Sequence, residues 1–275
     1  MQSQRIHIVG CRHSGTTLMM ELMWNSFRFS GRSENEQSLF KPIPPGEECF
    51  LTKKSSDTIR IEEVFLQDPD LYVIAMIRDP RSVVTTQSES IAGKYSYGFR
   101  RWYDYSNAIS RLIVHPQYVV VRYETLIRDP EVVQQQIHAK LPFLERTDNF
   151  ASFPQNTKIP VAAVKSLGGV RPLDPSTVDR WRQHLPRIKQ QLQRFPNLSD
   201  ELIRFGYEDD RSWESIVEDI ASVGEGDVES WPHYLKRSET RLRYWFRRRA
   251  YLHVRRMGLT HWLRRQIRRL RDHAA

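Results

Sequence analysis

Eight residues, GCRHSGTT at positions 10–17, follow the apolar run IHIV (6–9) and precede the apolar-periodic stretch LMMELMWNSF (18–27). A strand, a glycine-bounded turn and a helix in that order aim backbone N–H groups and a helix N-terminus at an anion. Ser14, Thr16 and Thr17 add hydroxyl donors around Gly15. The outline G-x-x-x-x-G is that of a phosphate loop. In loops that hold ATP or GTP, a lysine after the second glycine neutralises the β- and γ-phosphates, and the next Ser or Thr holds magnesium. Here Thr16 stands in the lysine's place while Thr17 keeps the hydroxyl. The loop therefore suits an anion with one phosphate and a neighbouring group, without a triphosphate tail or a metal.

The elements that must position this loop are legible as pattern. IHIV (6–9), LYVIAMI (71–77) and YVVV (118–121) are continuously apolar and β-branched, as expected of strands buried on both faces. Helical patterns fall at 16–27, around 56–66, and at 81–92, 99–113, 130–141 and 176–194. Alternating strands and helices predict an α/β fold, a parallel β-sheet flanked by helices on both faces. Asp-Pro pairs at 79–80, 129–130 and 174–175 suit helix starts, the acid capping and the proline at the first helical position. Residues 142–177 read as long loops, and DELIRFGYE closes the α/β domain near residue 208. The expected organisation is a domain over 1–208, an acidic linker or outlying helix over 209–235, and a basic tail over 236–275.

That tail holds 14 Lys or Arg and two acids, Glu239 and Asp272, a net +12 within a chain of net +9. The other 235 residues therefore sum to −3, and polyanion or membrane readings belong to the tail alone. Leu242, Trp245 and Phe246, and past Gly258 Leu259, Trp262, Leu263, Ile267 and Leu270, recur at helical spacing between arginines. Two amphipathic helices are expected, suited to an anionic membrane surface or a protein partner, or to packing on the core. Nucleic acid would use the charge and leave the apolar stripe idle. With the first strand beginning by residue 5, no signal peptide is expected, and no run approaches a bilayer span. Cys11 and Cys49 form no framework and read as reduced thiols. The expectation is a cytoplasmic chain, peripheral to the membrane if the tail binds one.

The loop GCRHSGTTLM resembles the 5′-phosphosulfate loop of the sulfotransferase family, commonly Lys/Arg-Ser-Gly-Thr-Thr followed by Leu or Trp. Members transfer a sulfonate from 3′-phosphoadenosine 5′-phosphosulfate (PAPS) to a hydroxyl or amine. The resemblance implies PAPS as co-substrate, no metal, and donor contacts from Arg12, His13, Ser14, Gly15, Thr16 and Thr17. IRDPRSVVTT (77–86) resembles the segment that binds the donor's 3′-phosphate. Arg78 holds the arginine place at a strand's end and Thr86 the serine place, about two turns into the helix expected after it. VVVRYETLIRDPE (119–131) resembles the family's third strand and turn. GGVRPLDPSTVDRWRQHL (168–185) resembles its late loop, where basic residues, here Arg171, close over the donor. The likeness runs from about residue 5 to 208.

Sulfonate transfer needs a base for the acceptor's proton and cations for charge on the bridging and leaving oxygens. The family's loop cation falls on His13, a departure. Protonated imidazole would carry the role, Arg12 would supply the missing charge, or His13 would itself be the base. Glu34, in the loop after the first helix, is the favoured base, with Glu36 in reserve. Lys53 and Lys54 resemble the family's lysine over the reaction centre, and the sequence leaves open which points inward. The acceptor expected is a hydroxyl of a carbohydrate, glycolipid or small metabolite. The rivals are a P-loop kinase and a non-catalytic nucleotide-binding adaptor whose tail does the work.

Overall fold

The structure, a computed structural model, describes residues 3–44, 46–88, 91–153, 164, 169, 172–224 and 238–256, with side chains over 244–253 in the last stretch. Its centre is a parallel sheet of β1 (Gln4–Gly10), β2 (Gly31–Arg32), β3 (Cys49–Lys53), β4 (Leu71–Ile77) and β5 (Tyr118–Arg122), in the order β2-β3-β1-β4-β5. The three runs read as strands are β1, β4 and β5, at the middle and one side of the sheet. β2 and β3 went unread because Gly31–Arg32 is two residues long and CFLTK has too short an apolar core to register.

Side chains alternate across the sheet with period two, and both faces are apolar. Ile6, Ile8, Ile74, Met76, Val119 and Val121 pack against helices α1 (Thr16–Ser26), α5 (Tyr123–Arg128) and α6 (Pro130–Lys140). Val9, Val73, Ala75 and Tyr118 face the other way, onto α2 (Glu62–Phe65) and α4 (Phe99–Ser110). Toward the carboxyl ends of the strands that second face continues into Val83 and Val84 of α3 (Pro80–Val84), Ile188 of α7 (Leu185–Arg194), and Leu198 and Leu202 of α8 (Leu198–Arg204). The α/β expectation therefore stands. Asp79 and Asp129 cap α3 and α6 by accepting from Arg81 N and Val132 N, each with proline in the first turn.

Three expectations are corrected. The helix expected over 81–92 ends at Val84, because its carbonyl accepts from Arg187 Nε (3.1 Å) and the chain turns into a hairpin. Ser96 N donates to Thr86 O (2.9 Å) and Ser88 N to Lys94 O (2.8 Å). Thr86 thus lies just past the helix rather than two turns inside it. The helix expected over 176–194 is broken into 3-10 turns at Pro175–Thr177 and Arg180–His184 before α7, which carries Pro186 in its first turn. The stretch around 56–66 is a 3-10 turn, Ser55–Arg60, followed by α2.

Beyond residue 208 the chain stays on the globule for another turn. Trp213 and Val217, in the 3-10 turn Ser212–Val217, are buried with α7 and α8. Arg81 pins them: it pairs with Asp79 (2.7 Å) and Glu208, and its guanidinium lies 4.2 Å over Trp181 and 5.1 Å over Trp213. The acidic stretch read as linker or outlying helix opens with a packed 3-10 turn. Of the two tail helices, the first is α9 (Ser238–Arg256), and the second falls outside the described residues.

Candidate active site

Parallel strands deliver their following loops to one edge, and the crevice outside the carboxyl ends is where α/β sheets hold ligands. Here three adjacent strands end together. Ile8 of β1 pairs with Lys53 of β3, and Gly10 of β1 pairs with Met76 of β4, two residues before Arg78. Sequence positions 12, 53 and 78 become neighbours through this register. A cleft of about 1140 Å3 opens there, lined by Arg12, His13, Gly15, Thr16, Thr17, Glu34, Glu36, Lys53, Arg78 and Thr86, among others. Every site residue read from the sequence reaches it except three, one of them Lys54, which turns toward Asp57. Ser14 is fully buried, with its hydroxyl turned back to the Cys11 carbonyl. Arg171 lies outside the described residues.

The loop needs its glycines. Gly10 has φ of +145°, and a Cβ there would sit 2.5 Å from Met76 O. Gly15 has φ of +88°, and its Cβ would meet the Tyr123 ring at 2.6 Å. Gly15 also caps α1 without any side-chain hydrogen bond, so the first N–H groups of the helix are left for a ligand. His13, at φ 66°, is the one non-glycine residue with positive φ among the described residues. That conformation costs on the order of 1 kcal/mol and is held by Arg78 Nη1, which donates to His13 O (2.9 Å).

Arg78 spans the cleft floor. Its Nη2 reaches Thr177 O (3.4 Å), and its guanidinium lies 4.2 Å over the Tyr123 ring. Its Nε is buried with no hydrogen-bond partner among the described residues, a donor suited to an anion. Thr86 Oγ1 donates to Ser82 O (3.0 Å) and lines the wall beyond.

The cation missing from the loop comes from the neighbouring strand. Lys53 Nζ donates to Thr17 Oγ1 (2.9 Å), the hydroxyl that would hold magnesium in a triphosphate site. Burial lowers its pKa from the ordinary lysine value and Arg12 adds to this, while Glu36 and Glu21 pull the other way. Lys54 instead turns toward Asp57 (4.0 Å), so Lys53 is the inward one of the pair. His13 carries no charge at neutral pH: burial, then Arg12, Arg78 and Arg101, lower its pKa to about 4. The expectation of a protonated imidazole in the resting site is therefore corrected, and so weak a base is poorly matched to taking a proton near neutrality. Arg12 supplies charge beside it, with Nη1 on Tyr97 Oη (2.6 Å).

The acidic segment runs alongside the end of β3. Ser33 N donates to Leu51 O and Gln37 N to Lys53 O, both at 3.0 Å, so residues 34–36 bulge over Lys53. Glu34 and Glu36 are both exposed on the cleft wall. Glu36 is the one whose charge acts on both Arg12 and Lys53, and it accepts from Ser55 Oγ (3.5 Å). A buried polar row fastens the segment from behind. Asp57 accepts from Leu39 N (2.8 Å) and lies 3.3 Å from His7 Nε2, His7 Nδ1 meets Thr52 Oγ1 (2.7 Å), and Arg5 holds the Leu39 and Lys41 carbonyls.

Sequence reasoning missed Tyr97, Tyr123 and Arg180, all on the cleft wall. Tyr97 receives Arg12, lies 5.4 Å from the His13 ring, and carries Arg101 4.2 Å over its own ring. The aromatic run YSYGF (95–99) was the available signal. It was overlooked because the preceding helix was read as running to residue 92.

Comparison with known proteins supplies what the geometry alone leaves unnamed. Human carbohydrate sulfotransferase 1 is 28% identical to the chain over 161 aligned residues, covering 46% of this chain and 38% of that protein. The rat form is 27% identical with the same coverage. Both proteins that the chain is similar to are sulfotransferases by name. The match spans 38% of the length of those two proteins. No protein-family model matches the chain. Among solved structures, the chain is similar to the sulfotransferase domain of the Synechococcus PCC 7002 olefin synthase (TM-score 0.46, 14% identity, 66% of this chain and 88% of that one). It is also similar to mouse sulfotransferase SULT7A1 complexed with PAP (TM-score 0.47, 12% identity, 74% and 86%).

Proposed function

We propose that the chain transfers a sulfonate from 3′-phosphoadenosine 5′-phosphosulfate to a hydroxyl group of a carbohydrate, glycolipid or small metabolite. The observation that carries this reading is the Lys53–Thr17 contact, which sets an ammonium where a triphosphate loop sets magnesium. That placement speaks against the kinase alternative. The single 5′-phosphate and its sulfonate would lie on the loop amides of Gly15–Thr17 with Arg12, and the 3′-phosphate would take Arg78 and Thr86. Arg171 is proposed beside them from the sequence alone.

In the transfer, a carboxylate on the 34–36 segment accepts the acceptor's hydroxyl proton as its oxygen bonds to sulfur. The bond from sulfur to the bridging oxygen breaks, and its electron pair stays on the 5′-phosphate of adenosine 3′,5′-bisphosphate. Lys53, Arg12 and the loop N–H groups stabilise that charge. Glu34 remains the base on its position in the chain, and Glu36 is the alternative favoured by its coupling to Lys53. His13 contributes as a neutral donor, and a bound phosphate would raise its pKa. The carbohydrate class of acceptor is supported by the curated relatives, whose own names specify carbohydrate.

Calorimetry with adenosine 3′,5′-bisphosphate, against ATP with magnesium, tests the reading. Metal-independent binding that weakens roughly 10- to 100-fold in Arg78→Ala is expected from the loss of charge-assisted hydrogen bonds. A preference for ATP with magnesium would return the site to the kinases. Binding of neither would favour the adaptor.

A further inference from the structure

We propose that the flank of the molecule where α9 lies on the core, down to the amino-terminal end of the sheet, is a docking face for an anionic lipid bilayer. The helix presents two unlike stripes. Tyr244, Arg248, Tyr251 and Leu252 recur at helical spacing and face the globule. Tyr244 donates to the Arg60 carbonyl, Arg248 pairs with Glu63, Tyr251 donates to Asp68, and Leu252 is buried. Phe40 receives both tyrosine rings edge-on, at 5.2 and 6.0 Å.

The outward stripe is of different chemistry. Trp245 and Phe246 are 37% and 57% exposed and meet edge to face at 4.9 Å. Arg249 lies 4.3 Å over the Trp245 ring, and Arg247 is exposed beside them. Aromatic rings with arginines at the same level suit the boundary between headgroups and acyl chains.

The helix descends to the amino-terminal end of the sheet, since Asp68, which it reaches at Tyr251, precedes β4. Two loops meet there: Gln117 Nε2 donates to Pro69 O (2.6 Å), and the Phe65 and His115 rings lie 4.5 Å apart. Beside these contacts three aliphatic side chains stand in solvent, Leu66 (58%), Ile113 (52%) and Val114 (88%). Aliphatic side chains have a partner in acyl chains and none in a phosphate backbone, so the face favours lipid over nucleic acid. Charge complementarity fixes the kind of lipid, because α9 (Ser238–Arg256) carries seven arginines against the one acid Glu239, net +6. Two neighbouring acids of the globule are paired, Glu62 by Arg111 (2.7 Å) and Glu63 by Arg248.

The full chain is sedimented with vesicles of phosphatidylcholine containing about a third phosphatidylglycerol, with pure phosphatidylcholine vesicles, and titrated with heparin. Binding to the anionic vesicles alone is expected, falling roughly fivefold for each of Arg247→Gln and Arg249→Gln. It should fall further in Trp245→Ala/Phe246→Ala and in Leu66→Ser/Val114→Ser. These exposed sites leave the fold intact, which unchanged far-ultraviolet circular dichroism and melting temperature will verify. No sedimentation with anionic vesicles overturns the proposal. So does vesicle binding that the aromatic and aliphatic variants leave unchanged while heparin competes fully, the signature of a bare polyanion site.

Discussion

Lys53→Met separates a cation that acts in the transfer from one that merely fills space. The ammonium lies 2.9 Å from Thr17 Oγ1 at the mouth of the phosphate loop. A unit charge about 4 Å from the developing charge on the leaving oxygen is worth on the order of 4 kcal/mol at an effective dielectric of 20. Part of that is already present with the donor bound, so the rate should fall by about 10²–10³, the range seen for lost charge-stabilising donors. Methionine keeps the length and apolar stem. Burial already disfavours this charge, as the lowered lysine pKa records, so removing it should leave thermal stability within a few degrees. The assay is release of adenosine 3′,5′-bisphosphate from the donor with water as acceptor, which requires no knowledge of the natural acceptor, beside calorimetric affinity for the product. The charged form is the active one, so wild-type turnover should fall as pH rises through a pKa below the ordinary lysine value, and the variant should lose that limb. A rate within threefold of wild type, or a rate loss matched by equal losses of product affinity and melting temperature, would refute the role.

Glu34→Gln and Glu36→Gln identify the base: the true one loses about 10²–10⁴ in turnover, while the other changes less than tenfold. His13→Asn, which tolerates the left-handed backbone, should keep turnover at pH 7.5 within about tenfold, the magnitude of a neutral hydrogen bond; a loss of four orders would make the imidazole a reacting group. Because the folded-state pKa of His13 lies below its unfolded value, its contribution to stability is full above about 6.5 and is lost as pH falls toward about 4. Melting curves of His13→Asn should therefore decline less over that window than those of wild type. Gly15→Ala places a methyl group against Tyr123 at positive φ and disturbs the ring beneath Arg78, so melting temperature and product affinity should both drop; unchanged values would show that the loop relaxes freely.

The amino-acid sequence by itself determined the phosphate loop, the strands on either side of it and the arginine at the end of β4. These are local properties: glycines where only glycine fits, and apolar β-branched runs that must be buried on both faces. It missed the extent of α3, because an arginine 103 positions away takes the Val84 carbonyl and no local pattern records that. It left Lys53 and Lys54 undivided, since only the register of β3 against β1 turns one toward Thr17 and the other toward Asp57. The neutrality of His13 follows from burial among Arg12, Arg78 and Arg101, two of them remote in sequence. Helical spacing marked the tail as amphipathic, whereas Phe40, Glu63 and Asp68 decided that one stripe faces the protein and the other faces out. Backbone preference and burial propagate through neighbouring residues, but charge and hydrogen bonding act across space. The residues that could do chemistry were therefore legible, and their protonation and orientation waited on the sheet.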